Sequence, residues 1–329
     1  MLTLKLSRST YFGCERPVLN LAADDKNTTE LPESFGPYLN PSTSLVIPNN
    51  FRSLHEANQY LVILINECLK YTGSALIQTR HTIHNEISNI HRQHLSSCLR
   101  DWRQAYAHLA IITTQFEKSD RTWKSQSALM LIQHAWLSSM IPTSYIEVEE
   151  TDFDSHSQHF KAIVNLVAFI LSPEGEGASS NRKHFALELG VVPPLFWTIM
   201  KCRHPKIRRK ALWLVEKVGR EGLWDPIAIH QTGIEAIALE EELALQSLGL
   251  ASSWASLDAD GAFDETVHLS AWVPLERRIS LAIFSFVDDD QQVLHMTFNR
   301  KLRNEVGRWT GGFEHIMRER PLEPVSKEY

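Results

Sequence analysis

The feature that most constrains the fold is a stretch of apolar residues spaced for one face of an α-helix. Between positions 160 and 171, six apolar residues fall at offsets of 0, 3, 4, 7, 10 and 11. They are Phe160, Ile163, Val164, Val167, Ile170 and Leu171. A helix with 3.6 residues per turn places these side chains on one side. Strands do not alternate with helical patterns elsewhere, so the sequence predicts helices packed on helices and not a doubly wound α/β enzyme.

Similar periodicity predicts further helices on both sides of this stretch. Ser53 and Glu56 have the spacing of a capping box, which predicts a helix from there to about Tyr71 that stops at Gly73. The other predicted helices lie at about 75–99, 102–112, 119–140, 183–189, 194–201, 205–218 and 227–248. Their apolar stripes predict an irregular stack of antiparallel helices without a fixed repeat.

The two ends of the chain differ from this helical body. Residues 1–50 contain five prolines and predict an irregular tail or linker. Clean alternation at 279–283 and 294–298 predicts a small β-hairpin over about 278–300. An amphipathic helix is predicted from Trp309 to Met317. We therefore predict an all-α fold over 51–329 with one hairpin near its C-terminus.

Composition and motifs exclude several function classes. The chain has 329 residues and a formal net charge of −6, which does not suit a freestanding nucleic-acid binder. Its four cysteines are at least thirty residues apart, so no close-spaced zinc site forms. Phosphate-binding glycine loops, a GxSxG elbow and an HExxH motif are all missing from the sequence. We predict no catalytic, cofactor or metal residues, no membrane span and no enzyme activity.

Two histidine clusters keep a metal-dependent enzyme as the least favoured alternative. His91, His94 and Cys98 share one helix face, and zinc can use such ligands. The same positions continue an apolar stripe, which favours a core or partly exposed face. His156 and His159 follow several acidic residues, but those acids are also the type that favours a helix N-terminus.

A basic segment at 201–210 is the main charge feature of the sequence. Six of its ten residues are lysine or arginine: Lys201, Arg203, Lys206, Arg208, Arg209 and Lys210. Such a segment serves as a nuclear-import signal or a phosphate-contacting patch. Alternatively, its arginines pair with Glu216, Glu221 or Glu240–Glu242 on neighbouring helices, and we favour this interpretation.

Three blocks surround this segment in an order that resembles a known family. They are FALELGVVPPL at 185–195, KCRHPKIRRKA at 201–211 and REGLWD at 220–225, followed by the acidic run 240–242. The blocks are similar to the C-terminal helical region of fungal transcription factors of the binuclear zinc cluster, or six-cysteine, class. The motif residues are Gly190, Pro193, Pro194, Cys202, Arg203, Pro205, Arg208, Arg209, Arg220, Glu221, Gly222, Trp224 and Asp225.

These motif residues are typical of helix packing and not of an active site. Gly190 is expected to end one helix with a positive φ, and Pro193–Pro194 to start the next. Pro205 is expected to begin the basic helix and Gly222 to close it. Trp224 is then an aromatic anchor, and Asp225 caps the following helix.

The resemblance implies a nuclear regulator of genes transcribed by RNA polymerase II. Its partners would be the transcriptional machinery or a DNA-binding partner protein, and a homodimer is left open. Only Cys14 lies in the first sixty residues, so the six-cysteine module is missing from this sequence and zinc would need such a module upstream. Direct DNA binding is accordingly not expected. The chain is then a truncated gene product or a clusterless relative, and the alternative is a clusterless cytosolic interaction scaffold.

Overall fold

The computed structural model describes most of the chain as two compact units. The first unit comprises residues 1–7, 17–119 and 144–146, and the second comprises 8–16, 120–143 and 147–329. The described residues are 8–11, 14–17, 45–77, 84–116, 121–144, 148–172, 190–221, 224–247, 272–286 and 293–321. The single domain proposed for residues 51–329 stays a prediction.

The first unit is built on a pair of long helices, α1 (Leu54–Ile77) and α2 (His84–Phe116). The Ser53 half of the predicted capping box is present, since the Glu56 amide donates to Ser53 Oγ at 3.2 Å. The Glu56 carboxylate accepts from the Arg52 amide at 2.7 Å, one residue before the cap position. Trp102 of α2 is buried and donates its Nε1–H to the carbonyl of Ala57 in α1 at 2.9 Å. The apolar stripes of the two helices therefore meet in one core.

Three predicted helix boundaries in this unit are wrong. α1 continues through Gly73 to Ile77, and the next helix, α2, begins at His84 and not at about Ala75. α2 is also one helix where two were predicted with a break near Leu99. The stripe passes through the break at helical spacing, since Leu95, Cys98, Trp102 and Tyr106 are all buried. A continuous buried face outweighs the weak helix propensity of the intervening serines.

The described residues of the second unit form five α-helices: α3 (Arg121–Met140), α4 (Ser157–Leu171), α5 (Val192–Lys201), α6 (Pro205–Val215) and α7 (Pro226–Ser247). The apolar stripe predicted at 160–171 is confirmed in α4, where Phe160, Ile163, Val164 and Val167 are buried. A 3₁₀ turn, Asp152–His156, leads into α4. Among the helices of the described residues, none is long and apolar enough to cross a bilayer.

A sheet completes the second unit. The predicted hairpin is confirmed as β3 (Ile279–Phe286) and β4 (Val293–Arg303), which pair antiparallel. β4 also pairs antiparallel with β5 (Trp309–Pro321), and its side chains Leu294, Met296 and Phe298 are buried on one face. Two four-residue strands, β1 (Arg8–Tyr11) and β2 (Cys14–Pro17), give the order β2-β1-β3-β4-β5.

The sheet corrects the prediction of an all-α fold. The molecule is mostly helical, but Trp309–Pro321 is a strand and not the predicted amphipathic helix. Pairing with β4 decides this, because the register from Val293 to Arg303 pairs one edge of β5 along most of its length. β1 and β2 likewise lie within the stretch that was predicted to be irregular. The helix predicted at 183–189 lies outside the described residues.

Candidate functional site

The basic segment joins two helices in the interior of the second unit. Lys201 is the last residue of α5, and Pro205 is the first residue of α6 as predicted, where its missing amide hydrogen costs nothing. Arg203, in the link between them, and Arg208 on α6 are fully buried. The guanidinium groups in the segment therefore must find their partners inside the protein.

Arg203 connects four parts of the unit. Its Nη2 donates to Glu150 at 3.1 Å, to Glu240 of α7 at 2.8 Å and to the carbonyl of Ile279 in β3 at 3.0 Å. Its Nη1 donates to the carbonyl of Lys201 at 2.9 Å. One side chain thus ties the α5–α6 link to α7, to the sheet and to the segment before α4.

Arg208 and Arg209 contact two adjacent acidic residues of α7. Arg208 Nη1 lies 2.6 Å from Glu240 Oε2, and its Nε donates to the carbonyl of Ile199 at 2.6 Å. Arg209 Nη2 donates to Glu241 Oε2 at 2.6 Å. Burial alone would raise the pKa of Glu240, but the guanidinium groups of Arg203 and Arg208 lower it to about 2.

Lys201 places its ammonium between a carboxylate and aromatic rings. Its Nζ donates to Glu150 Oε1 and to the carbonyl of Ser280, both at 2.8 Å. It also lies 4.5 Å from the centre of the Phe153 ring, within reach of a cation–π interaction. Burial lowers the pKa of Lys201, and the charge of Glu150 opposes that change.

A fifth cation closes the arrangement from the sheet side. Arg278 precedes β3 and forms a bidentate pair with Asp154, with both N–O distances at 2.9 Å. It also donates to the carbonyls of Val273 and Glu150. We call the whole set the ionic cluster: Lys201, Arg203, Arg208, Arg209, Arg278, Glu150, Asp154, Glu240 and Glu241.

The ionic cluster bears on the two interpretations of the basic segment, which are an accessible basic patch and internal pairing of its arginines with acidic residues. Pairing with the acidic run on α7 is confirmed for Glu240 and Glu241. Pairing with Glu216 and Glu221 is wrong, because Glu216 contacts His230 and Glu221 binds backbone amides. With Arg203 and Arg208 buried, these two side chains have no accessible face for a phosphate or an import receptor.

Glu221 instead caps α5. Its carboxylate accepts from the amides of Gly190, Val191 and Val192 at 3.2, 3.0 and 2.8 Å. These are the unpaired amides expected at a helix N-terminus. Burial raises the pKa of Glu221, and the three amide donors act against that rise.

Gly190 is needed for a different reason from the one predicted. It does not have a positive φ, which among the described glycines is restricted to Gly307 and Gly311. A Cβ at position 190 would instead lie 2.3 Å from Glu221 Oε1. The motif glycine therefore gives the capping carboxylate room to approach the backbone.

Four of the remaining motif residues have structural roles. Pro193 and Pro194 lie in the first turn of α5, and Asp225 Oδ1 accepts from the amides of Ile227 and Ala228, as a capping residue should. Trp224 is buried against Phe196, with ring centres 6.0 Å apart. The prediction that Gly222 closes the basic helix is wrong, because α6 already ends at Val215. Arg220 is exposed, and Gly222 itself lies outside the described residues.

Cys202 lies within the cluster and is buried. Burial raises the pKa of its thiol to about 12, although the charges of Arg208 and Arg203 act in the opposite direction. A neutral, enclosed thiol is a poor nucleophile. The geometry therefore assigns Cys202 to packing.

A small aromatic cavity adjoins the cluster. Its volume is about 30 Å³, and its walls include Trp136, Trp197, Trp224 and Lys201. The Trp136 indole nitrogen and the Ser280 hydroxyl, both in its lining, have no hydrogen-bond partner among the described residues. Such a volume holds one or two water molecules and falls well short of a metabolite site.

The histidine candidates do not assemble into larger groups. His91 lies edge-on to Tyr71 with ring centres 5.3 Å apart, and His94 Nε2 is 3.6 Å from Cys98 Sγ. His156 and His159 place their Nδ1 atoms 3.4 Å apart. Within the described ranges, no three metal-ligating side chains come together. The acidic Asp154 nearby pairs with Arg278.

Sequence reasoning missed three members of the cluster as ion-pair partners: Glu150, Asp154 and Arg278. Glu150 is 51 residues from Lys201, and Arg278 is 124 residues from Asp154. No local spacing links such positions. The available signal was the excess of acidic residues at 147–154, which was interpreted as a helix N-terminus and is instead engaged with distant cations.

Comparison of the chain with protein-family models, with curated proteins and with solved structures found no significant match.

Proposed function

We propose that this chain is the helical effector region of a fungal transcription regulator of the zinc cluster type, without its DNA-binding module. In this proposal the region acts through a protein partner, either the transcriptional machinery or a DNA-binding protein. The proposed site of action is the nucleus, and the chain performs no catalysis.

One observation supports this proposal beyond the resemblance itself. The resembling blocks, which are separated in the sequence, meet around the ionic cluster and the cap formed by Glu221. Residues that fix a shared packing arrangement are what related helical regions would have in common. The resemblance thus acquires a physical basis as a fold signature, while the regulatory activity rests on the resemblance alone.

The aromatic cavity beside the cluster, with a volume of about 30 Å³, is itself too small for a drug-sized effector. Helical surfaces, in contrast, commonly present grooves to partner segments.

Tethering the chain to a foreign DNA-binding domain tests the proposal. We expect reporter transcription to change, in either direction, under at least one growth condition. The variant Glu240→Gln should disrupt the ionic cluster and abolish this change in transcription. The matched control, Glu242→Gln, should preserve it. Unchanged transcription from a folded, well-expressed fusion would contradict the proposal.

A test of nuclear localisation needs substitutions at basic residues that are accessible to solvent and lie outside the ionic cluster. Lys206 is half-buried and Lys210 is exposed, so both can be replaced without removing a member of the cluster. A fluorescent fusion should accumulate in nuclei, and Lys206→Ala with Lys210→Ala would show whether these lysines direct import. Fluorescence confined to the cytosol would contradict nuclear action.

A cytosolic interaction scaffold is the second candidate. Burial of Arg203 and Arg208 favours it, because a signal for nuclear import needs accessible basic side chains. Combined cytosolic localisation and an inert tethered fusion would support this candidate. Binding partners recovered with the wild-type chain and lost with Glu240→Gln would then define the scaffold.

A further inference from the structure

The outer edge of the sheet is formed by β5, which has 13 residues. β5 ends the strand order, and within the described part of the chain no other strand pairs with its outer side. An edge strand has a row of backbone N–H and C=O groups that lack sheet partners. Such an edge can accept an added strand.

The side chains of β5 remain exposed to solvent on both faces. Phe313 and Met317, on the face away from the core, are 38% and 75% exposed. On the other face, the side chains of Glu314 and Arg318 are 51% and 45% exposed. Their contacts within the chain are long: Glu314 lies 3.6 Å from Arg300 and Arg318 lies 3.9 Å from Glu235.

We propose that β5 pairs antiparallel with β5 of a second copy of this chain, with the two-fold axis at Ile316. In that register Ile316 lies opposite itself, and the paired stretch runs from Gly311 to Pro321. Glu314 is then opposite Arg318 of the second copy, and the same pair recurs on the other side of the axis.

Charge complementarity selects this register over its neighbours. Pairing centred on His315 would place Glu314 opposite Ile316 and leave Arg318 opposite Gly312. Pairing centred on Met317 would place Ile316 opposite Arg318, and Glu314 opposite Arg320, whose guanidinium is already bound by Glu235 of its own chain at 2.7 Å. The Ile316 register instead pairs Glu314 with Arg318, which lies 3.9 Å from Glu235, and directly opposed charges in a sheet stabilise it when their signs differ.

In the pairing centred on Ile316, each Glu314 lies in one row between Arg300 of its own β4 and Arg318 of the second copy. Charged residues on an edge strand otherwise serve to repel other strands. The two roles differ in outcome, since repulsive charges leave a monomer and self-complementary charges give a dimer whose stability depends on their signs.

Charge reversal tests the proposal with the full chain. Sedimentation or light scattering over a concentration series should show a dimer for the wild type. Glu314→Arg or Arg318→Glu alone places like charges opposite each other twice, and each should raise the dimer Kd by about tenfold or more. The double variant restores opposite charges and should return the Kd to within about threefold of the wild type.

The rescue excludes a purely structural effect, because the double variant still lacks the Glu314–Arg300 and Arg318–Glu235 contacts within each chain. A second test fixes the register: under oxidation Ile316→Cys should form an intermolecular disulfide, whereas His315→Cys and Met317→Cys should not, since a disulfide needs Cβ atoms about 4 Å apart. A monomer at all concentrations, two single variants without effect, or cross-linking through His315→Cys would overturn the proposal.

Discussion

The ionic cluster and strand β5 use the same kinds of charged residue in opposite ways. In the cluster, Arg203 and Glu240 are fully buried, and each binds more than one partner at hydrogen-bond distance. On β5, Glu314 and Arg318 are about half exposed, and each lies more than 3.5 Å from its partner. Burial makes the loss of one charge costly in the first region, and solvent makes it nearly free in the second.

The strongest test of this contrast removes one charge from the cluster. Glu240→Gln leaves Arg203 and Arg208 without a full counter-charge in the interior, which should lower the free energy of unfolding by about 3–5 kcal/mol. Denaturant titration measures the change. Glu242→Gln is the matched control two residues away, where the partly exposed pair with Arg277 should cost no more than about 1 kcal/mol. Equal effects of the two variants would contradict the contrast.

Acid should weaken the cluster over a defined pH range. Because the pKa of Glu240 falls from 4.5 to about 2 on folding, its contribution is complete above about pH 4.5 and disappears as the pH falls through 2. The wild type should lose about 3 kcal/mol of stability from this group over that range. Glu240→Gln should lack this loss, so the two stability curves should converge at low pH. Parallel curves would contradict the assignment.

A moderate effect is expected at the cap of α5. Gly190→Ala would push its Cβ against the Glu221 carboxylate and weaken three amide hydrogen bonds, at a cost of about 1–3 kcal/mol. Glu221→Ala should cost a similar amount. In a double-mutant cycle the second substitution should add little to the first. Full additivity would show that Gly190 serves another purpose.

The smallest effects are expected on β5. Glu314→Gln and Arg318→Gln should each change the free energy of unfolding by less than about 1 kcal/mol, since their contacts within the chain are exposed and long. Thermal or denaturant unfolding, performed at a protein concentration where the chain is monomeric, measures these values. A cost near that of Glu240→Gln would remove the distinction between the two regions.

The sequence allowed good predictions where one element carries its own pattern. The stripe of α4, the prolines that start α5 and α6 and the cap at Asp225 are all local signals, and the structure confirms them. β5 shows the limit of such reasoning. Its Phe313, Ile316 and Met317 have the 3–4 spacing of a helix, but pairing with β4 makes the segment a strand, and local periodicity does not contain that information.

The candidate site was predictable in part for the same reason. Glu240 and Glu241 were identified as partners because the acidic run and the basic run each stand out in the sequence. Glu150 and Arg278 were not, since each is one charged residue among many and only the folded chain brings them together. The role of Gly190 was also hidden, because close approach of a side chain leaves no trace in local sequence.

The enclosed thiol of Cys202 can report how often the ionic cluster opens. Only 2% of this residue is exposed, and a thiol with a pKa of about 12 stays protonated at neutral pH. Alkylating reagents should therefore modify it only during moments when the surrounding helices separate. Peptide mass spectrometry can follow the rate of labelling at Cys202 in native buffer. That rate gives a protection factor for the opening of the cluster, and no denaturant is needed.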